Sequence, residues 1–131
     1  MDKKELTKIY RDYNLTEKDV YSDKRGFTIV TRSGVEKIQL DRNIKVEFEV
    51  ICCSLENVVI KAISFMEDQD GEWIKQIETF GSASIKNCRS HFLVEIAEKR
   101  ALARNIIKTI GFTNTLGEDE LKHQPEIKKN K

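Results

Sequence analysis

Residues 44–53 read IKVEFEVICC. Ile44, Val46, Phe48, Val50 and Cys52 alternate with Lys45, Glu47 and Glu49. A period of two over this length marks a half-buried strand, with successive side chains on opposite faces. The flanking sequence extends it into a meander. SLEN (54–57) supplies a turn, and VVIKAISFMED (58–68) is apolar on both faces for much of its length, as suits a central or doubly covered strand. QDGE (69–72) is a hairpin signal, because Asp-Gly tolerates the positive φ of tight turns. EWIKQIETF (72–80) is then the third strand, with Gly81 expected to end it and GSASIKN (81–87) to form a small-residue loop.

Upstream, FTIVT (27–31) follows Gly26 and is β-branched and aromatic, as a short strand requires. In RSGVEKIQLDRN (32–43), Ser33 is placed to cap a helix of about two turns, with Val35, Ile38 and Leu40 inward and Asn43 at its end. Leu6, Ile9, Tyr10 and Tyr13 are spaced for a short helix, and TEKD (16–19) loosely fits a capping box. Downstream, a long helix is expected from Asn87 or Cys88 to Gly111, with Phe92, Ile96, Ala103, Ile106, Ile107 and Ile110 on one stripe. Residues 113–131 are polar and hold the only proline, Pro125. The resulting order predicts an α+β fold: a β-α-β-β-β-α core whose antiparallel sheet is covered by one long C-terminal helix. The chain divides into a polar N-terminal segment (1–25), a core domain (26–112) and a flexible polar tail (113–131).

The 131 residues are 39% hydrophobic and 34% charged, a globular composition with a heavily solvated surface. No apolar run approaches the ~20 residues of a membrane span. The start, MDKKELTKIY, has no signal-peptide core, and three cysteines without such a core read as reduced thiols in a cytoplasmic protein. The net charge of +1 predicts no partner by itself. Its distribution is uneven: residues 88–111 hold five basic and two acidic side chains, whereas residues 27–87 hold seven basic and ten acidic.

Several chemistries have no support. There is no phosphate loop, dinucleotide glycine motif or zinc-type cysteine pairing. Cys52 and Cys53 fall on opposite faces of a strand, and Cys88 with His91 supplies two ligands at most. Glu47 and Glu49 read as a solvated face, and EDQD (67–70) lacks the spacing of a calcium loop. The expectation is a protein without cofactor, metal or catalytic residues, and not an enzyme.

The stretch AEKRALARNIIKTIGF (97–112) carries the functional signal. Arg100, Arg104 and Lys108 stand at i, i+4 and i+8, which makes a basic ridge beside the apolar stripe. Lys99 lies on the other flank near Glu95, and Lys86 and Arg89 extend the charge toward the helix start. Ala97, Ala101 and Ala103 keep the helix slim enough for another surface to approach. Arginine's fixed fork of donors suits phosphate. Basic residues late in a helix also complement its dipole, and that reading stands beside the first. Tyr10, Tyr13, Tyr21 and Trp73 are available to stack on bases or to pack.

Four stretches, GFTIVTRSGVEKIQ, IKVEFEVICC, IETFGSAS and AEKRALARNIIKTIGF, together resemble the core of the single-strand annealing proteins of the Rad fifty-two type, over roughly residues 24–112. The resemblance implies a non-enzymatic protein of recombination, repair or phage DNA replication. It implies assembly into a ring or arc that holds single-stranded DNA in a basic groove, with a single-strand-binding protein as a further partner and no membrane. It places Lys99 and Arg100 on the family's lysine–arginine pair, Arg104 near a further basic position and Arg32 near a family arginine. Two other readings remain. One is a double-stranded RNA-binding module, which also runs helix, three strands, helix but sets its lysines at the start of the last helix. The other is a protein-interaction or inhibitor module that docks through the alanine face.

Overall fold

A computed structural model describes residues 8, 11–86, 92–112 and 115–117. Among the described residues the architecture is α+β, with two helices of three turns or more and two three-stranded sheets. The strands are β1 (Val20–Ser22), β2 (Thr28–Val30), β3 (Lys45–Cys53), β4 (Asn57–Glu67), β5 (Trp73–Ser84) and β6 (Thr115–Gly117). The helices are α1 (Arg32–Arg42) and α2 (Leu93–Thr109).

The meander forms as the alternation requires, with strand order β3-β4-β5 and antiparallel pairing throughout. Its turns are closed by their own side chains. The Ser54 hydroxyl accepts from the Asn57 and Glu56 N–H groups, and the Asp68 carboxylate accepts from Asp70 and Glu72. Such local bonds give turn backbone the partners that a ladder would otherwise supply.

Gly81 does not end β5, which runs on to Ser84. A Cβ at Gly81 would lie 2.3 Å from both the Ala97 carbonyl oxygen and the Ala101 nitrogen. The glycine therefore marks a close helix–strand approach, not a chain reversal. Ala97 and Ala101 are fully buried on the facing helix, so the slim alanine face is occupied by the protein's own sheet.

FTIVT does not join the meander. Its central residues, β2, form a separate small sheet of order β1-β2-β6. β1 pairs antiparallel (Val20↔Val30, Ser22↔Thr28), and β6 pairs parallel (Thr28↔Thr115, Val30↔Gly117). Residues on both sides of the expected core domain thus share one sheet with it. The N-terminal segment also gives Tyr13, Leu15 and Val20 to the core, and the Tyr13 ring meets Phe112 edge-on at 5.8 Å. TEKD forms a turn in which the Asp19 carboxylate reaches back to the Thr16 N–H at 2.9 Å.

α1 is capped by Thr31, whose hydroxyl accepts from the Gly34 N–H, and not by Ser33. Ser33 instead donates to the Asp19 carboxylate. Leu40 faces solvent at 82% exposure, while Val35 and Ile38 are buried as expected. Asn43 closes the helix in the left-handed region, at φ 53 and ψ 51. α2 ends through Gly111 at φ +80, with Gly111 N–H donating to the Lys108 carbonyl and Phe112 N–H to the Ile107 carbonyl. That pair of bonds is the Schellman arrangement, which satisfies carbonyls left over at a helix end.

α2 serves two cores. Leu93, Ile96, Ala97 and Ala101 pack on Val58, Ile60, Ala62 and Ala83 of the meander. Ala103, Ile106 and Ile107 pack with Val35, Ile38, Ile44, Val20 and Val30. Each fully buried valine, leucine or isoleucine among them contributes about 1.5–3 kcal/mol by leaving water, and each alanine less. Phe92, placed on the apolar stripe by its spacing, is 66% exposed, and Leu93 takes the inward position. No helix among the described residues is long and apolar enough to cross a membrane.

Candidate nucleic-acid interface

The basic side chains of α2 separate into three groups by where the helix turns them. At 100° per residue, Ala97 and Ala101 mark the line that faces β5. Asn105 leans to one side of this line and donates to the Ala62 carbonyl of β4 at 2.9 Å. Arg100 and Arg104 leave the opposite side, away from β4. The Arg100 guanidinium donates to the Ser82 carbonyl at 2.6 Å, and that of Arg104 to the Phe80 carbonyl at 2.9 Å. Phe80 and Ser82 are two residues apart, so their carbonyls leave β5 on the same edge. The two arginines thus occupy acceptors along a strand that ends the sheet.

This changes the expected ridge. Arg100 is buried, at 7% exposure, and its charge is directed into the fold. Arg104 and Lys108 remain exposed on the helix surface. Arg100 therefore does not line up outward with them, because the sheet edge supplies a nearer acceptor than solvent does.

Lys99 points elsewhere and meets a residue distant in sequence. Lys99 and Arg32 line one cavity of about 180 Å³ between α1 and α2. Its apolar wall is Val30, Val35, Leu102 and Ala103, and Glu36 and Glu98 complete its lining. The carboxylates went unrecognised in the sequence. Glu36 stands at i+4 from Arg32, the usual spacing of a helix-surface pair, but nothing local shows that α2 faces it.

Among the described residues the ion pairs are Arg25–Asp23, Lys37–Asp19, Lys45–Glu47 and a ladder in which Lys61 joins Glu49 and Glu78 and Lys75 joins Glu78. Lys86, Lys99 and Lys108 belong to none of them, and no ion pair joins Lys99 to Glu95, its neighbour at i−4. Lys86 is exposed just beyond β5. Arg89, with Cys88 and His91, lies outside the described residues, as does Tyr10. Tyr13 is a core residue, whereas Tyr21 and Trp73 are 42% and 41% exposed. The Lys45 ammonium sits 5.7 Å from the centre of the Trp73 ring, a cation–π distance.

Asp19 and Lys61 are among the titrating groups displaced by this geometry. At Asp19, burial favours the neutral acid, but the Lys37 ammonium, the Ser33 hydroxyl and the Thr16 N–H outweigh it and hold the carboxyl at about 2. The Lys61 ammonium is raised above its ordinary range, first by its bond to Glu49, against some desolvation. Asp19 locks the segment before β1 onto the first turn of α1, which fixes the helix that presents Arg32.

The chain matches no protein-family model, and no curated protein or solved structure matches it.

Proposed function

We propose that the protein binds single-stranded DNA and promotes the annealing of complementary strands, acting without chemistry of its own, as a homo-oligomer in the cytoplasm. The observation that supports this reading is the convergence of Arg32 and Lys99 at one cavity between α1 and α2; Arg104 and Lys108 are exposed on a different side of α2. A strand laid over this surface meets cations from both helices. Arg32 and Lys99 contact phosphate, whereas Lys108, nine residues from Lys99 and so half a turn around α2, lies off this path. Glu36 and Glu98 share the cavity lining, so the surface is mixed in sign; the phosphate contacts of its cations make affinity fall as salt rises. Arg100 acts through the fold, by fixing α2 on the sheet edge. No acid–base pair or nucleophile is required, since annealing makes and breaks only base pairs.

A double-stranded RNA-binding module is the second reading. The order α1-β3-β4-β5-α2, with Val46 of β3 packed against both core clusters, gives it the helix, three strands, helix sequence it needs. Its disadvantage is that the exposed basic residues described here lie in the middle and at the end of α2.

The test is a fluorescence annealing assay with complementary oligonucleotides, paired with anisotropy on single-stranded DNA and double-stranded RNA at two salt levels. Faster annealing, and single-strand binding that weakens steeply with salt, is the expected result. Binding to the RNA duplex alone favours the second reading. Absence of binding to either at low salt overturns both.

A further inference from the structure

The two ends of the meander sheet are finished differently. At β5, Arg100 and Arg104 take the Ser82 and Phe80 carbonyls. At β3, the only neighbour among the described residues is β4, on its inner side. The outer edge of β3 is nine residues long, contains no proline, and carries Phe48, Val50 and Ile51 at 40%, 60% and 49% exposure. A long apolar edge of this kind is a template for another strand.

We propose that β3 pairs antiparallel with β3 of a second copy of this chain, giving a closed dimer with a six-stranded sheet. The two edges select the symmetry. If β3 of one copy added to β5 of the next, the sheet would propagate, but arginines hold two of the β5 acceptors, the Phe80 and Ser82 carbonyls. Pairing of β3 with itself needs only the open edge on each side, and the two-fold axis stops growth at two.

The register follows from the bulge and the charges. The ladder to β4 is broken between Val50 and Cys52, which leaves residues 45–50 as the straight portion. Centring the axis on Glu47 sets Val46 opposite Phe48 of the partner subunit and Lys45 opposite Glu49 of the partner subunit. The pairing stops at Lys45, because Ile44 is buried and Gln39 holds both its N–H and its carbonyl. Centring on Phe48 would set Glu47 against Glu49 of the partner subunit on both sides, and directly opposed like charges destabilise a pair. The favoured register retains one such contact, Glu47 against its own copy across the axis. Each Glu47 carboxylate has a Lys45 ammonium at 3.5 Å to offset it. This assembly is independent of nucleic acid, and it differs from the ring or arc that the family resemblance implies.

The experiment is light-scattering mass measurement of the full chain over a range of concentrations, without nucleic acid, on three proteins. The unaltered protein is expected at the mass of two 15.2-kDa chains. Val50→Lys replaces an exposed side chain, keeps the circular dichroism spectrum, and weakens the dimer by about tenfold or more. Glu47→Gln removes the opposed charges and tightens it by a few-fold. A monomer at every concentration overturns the proposal. So does any assembly of more than two chains, or a dimer that Val50→Lys leaves intact. Because no DNA is present, these outcomes do not depend on whether the annealing reading holds.

Discussion

The Arg100 guanidinium donates to the Ser82 carbonyl at 2.6 Å, from a side chain only 7% exposed. A charge placed this way gains a strong hydrogen bond and gives the strand edge a partner, but it is withdrawn from any ligand that approaches the helix. The basic ridge therefore contains one residue that holds the structure together and others that face water.

Arg100→Ala is expected to destabilise the fold by about 1–3 kcal/mol, the cost of leaving a buried acceptor without its charged donor. Arg104→Ala, at an exposed position, should cost well under 1 kcal/mol. Urea denaturation of both variants measures the contrast. Equal midpoints would remove the structural role assigned to Arg100.

Lys99→Ala and Arg32→Ala should leave the denaturation midpoint nearly unchanged and weaken single-strand binding. Each lost phosphate contact lowers the slope of log affinity against log salt by about 0.7. Anisotropy titrations at four salt concentrations read that slope. If affinity fell with no change of slope, the contact would not be to phosphate.

Gly81→Ala is expected to cost several kcal/mol, because its Cβ would lie 2.3 Å from backbone atoms of Ala97 and Ala101. Neither helix nor strand can yield there without moving the other. The measurement is thermal unfolding, and a fall in Tm of ten degrees or more is expected for a domain this small. An unchanged Tm would mean that α2 does not approach β5 as closely as described.

Asp19 sets an acid limit on stability. Its folded carboxyl lies at about 2, below the ordinary value of 3.8. A depressed carboxyl contributes stability that is full above the unfolded value and is lost as pH falls through the folded one. The contribution is about 2 kcal/mol at neutral pH, and it declines between pH ~5 and pH ~2. Asp19→Asn should lower stability at pH 7 and narrow the gap to the unaltered protein as pH approaches 2. Denaturant midpoints at pH 7, 4 and 2.5 would show it, and a pH-independent gap would contradict it.

Local pattern was enough for the meander, for the two helices and for the residues that close them, though not for their starts: α2 begins at Leu93 and not at Asn87 or Cys88, and Thr31, not Ser33, caps α1. The alternation of Ile44 to Cys52, the Asp-Gly turn, Asn43 and Gly111 each act within a few residues of themselves. Chemistry of that range is written in order along the chain. The fate of edges and flanks was not written there. β3 shows inward-facing periodicity, yet Phe48 and Val50 are exposed, because among the described residues α2 covers β4 and β5 and leaves β3 uncovered beyond Val46 on the same face. Gly81 looks like a stop and is a contact point, because the helix that presses on it comes from sixteen or more residues later in the chain. Arg32 and Lys99 share a cavity, and Arg100 turns to a strand edge, for the same reason. Which face of a helix meets solvent is decided by where other elements pack. Spacing gives a side chain its angle on the helix, and only the assembled fold says what lies in that direction.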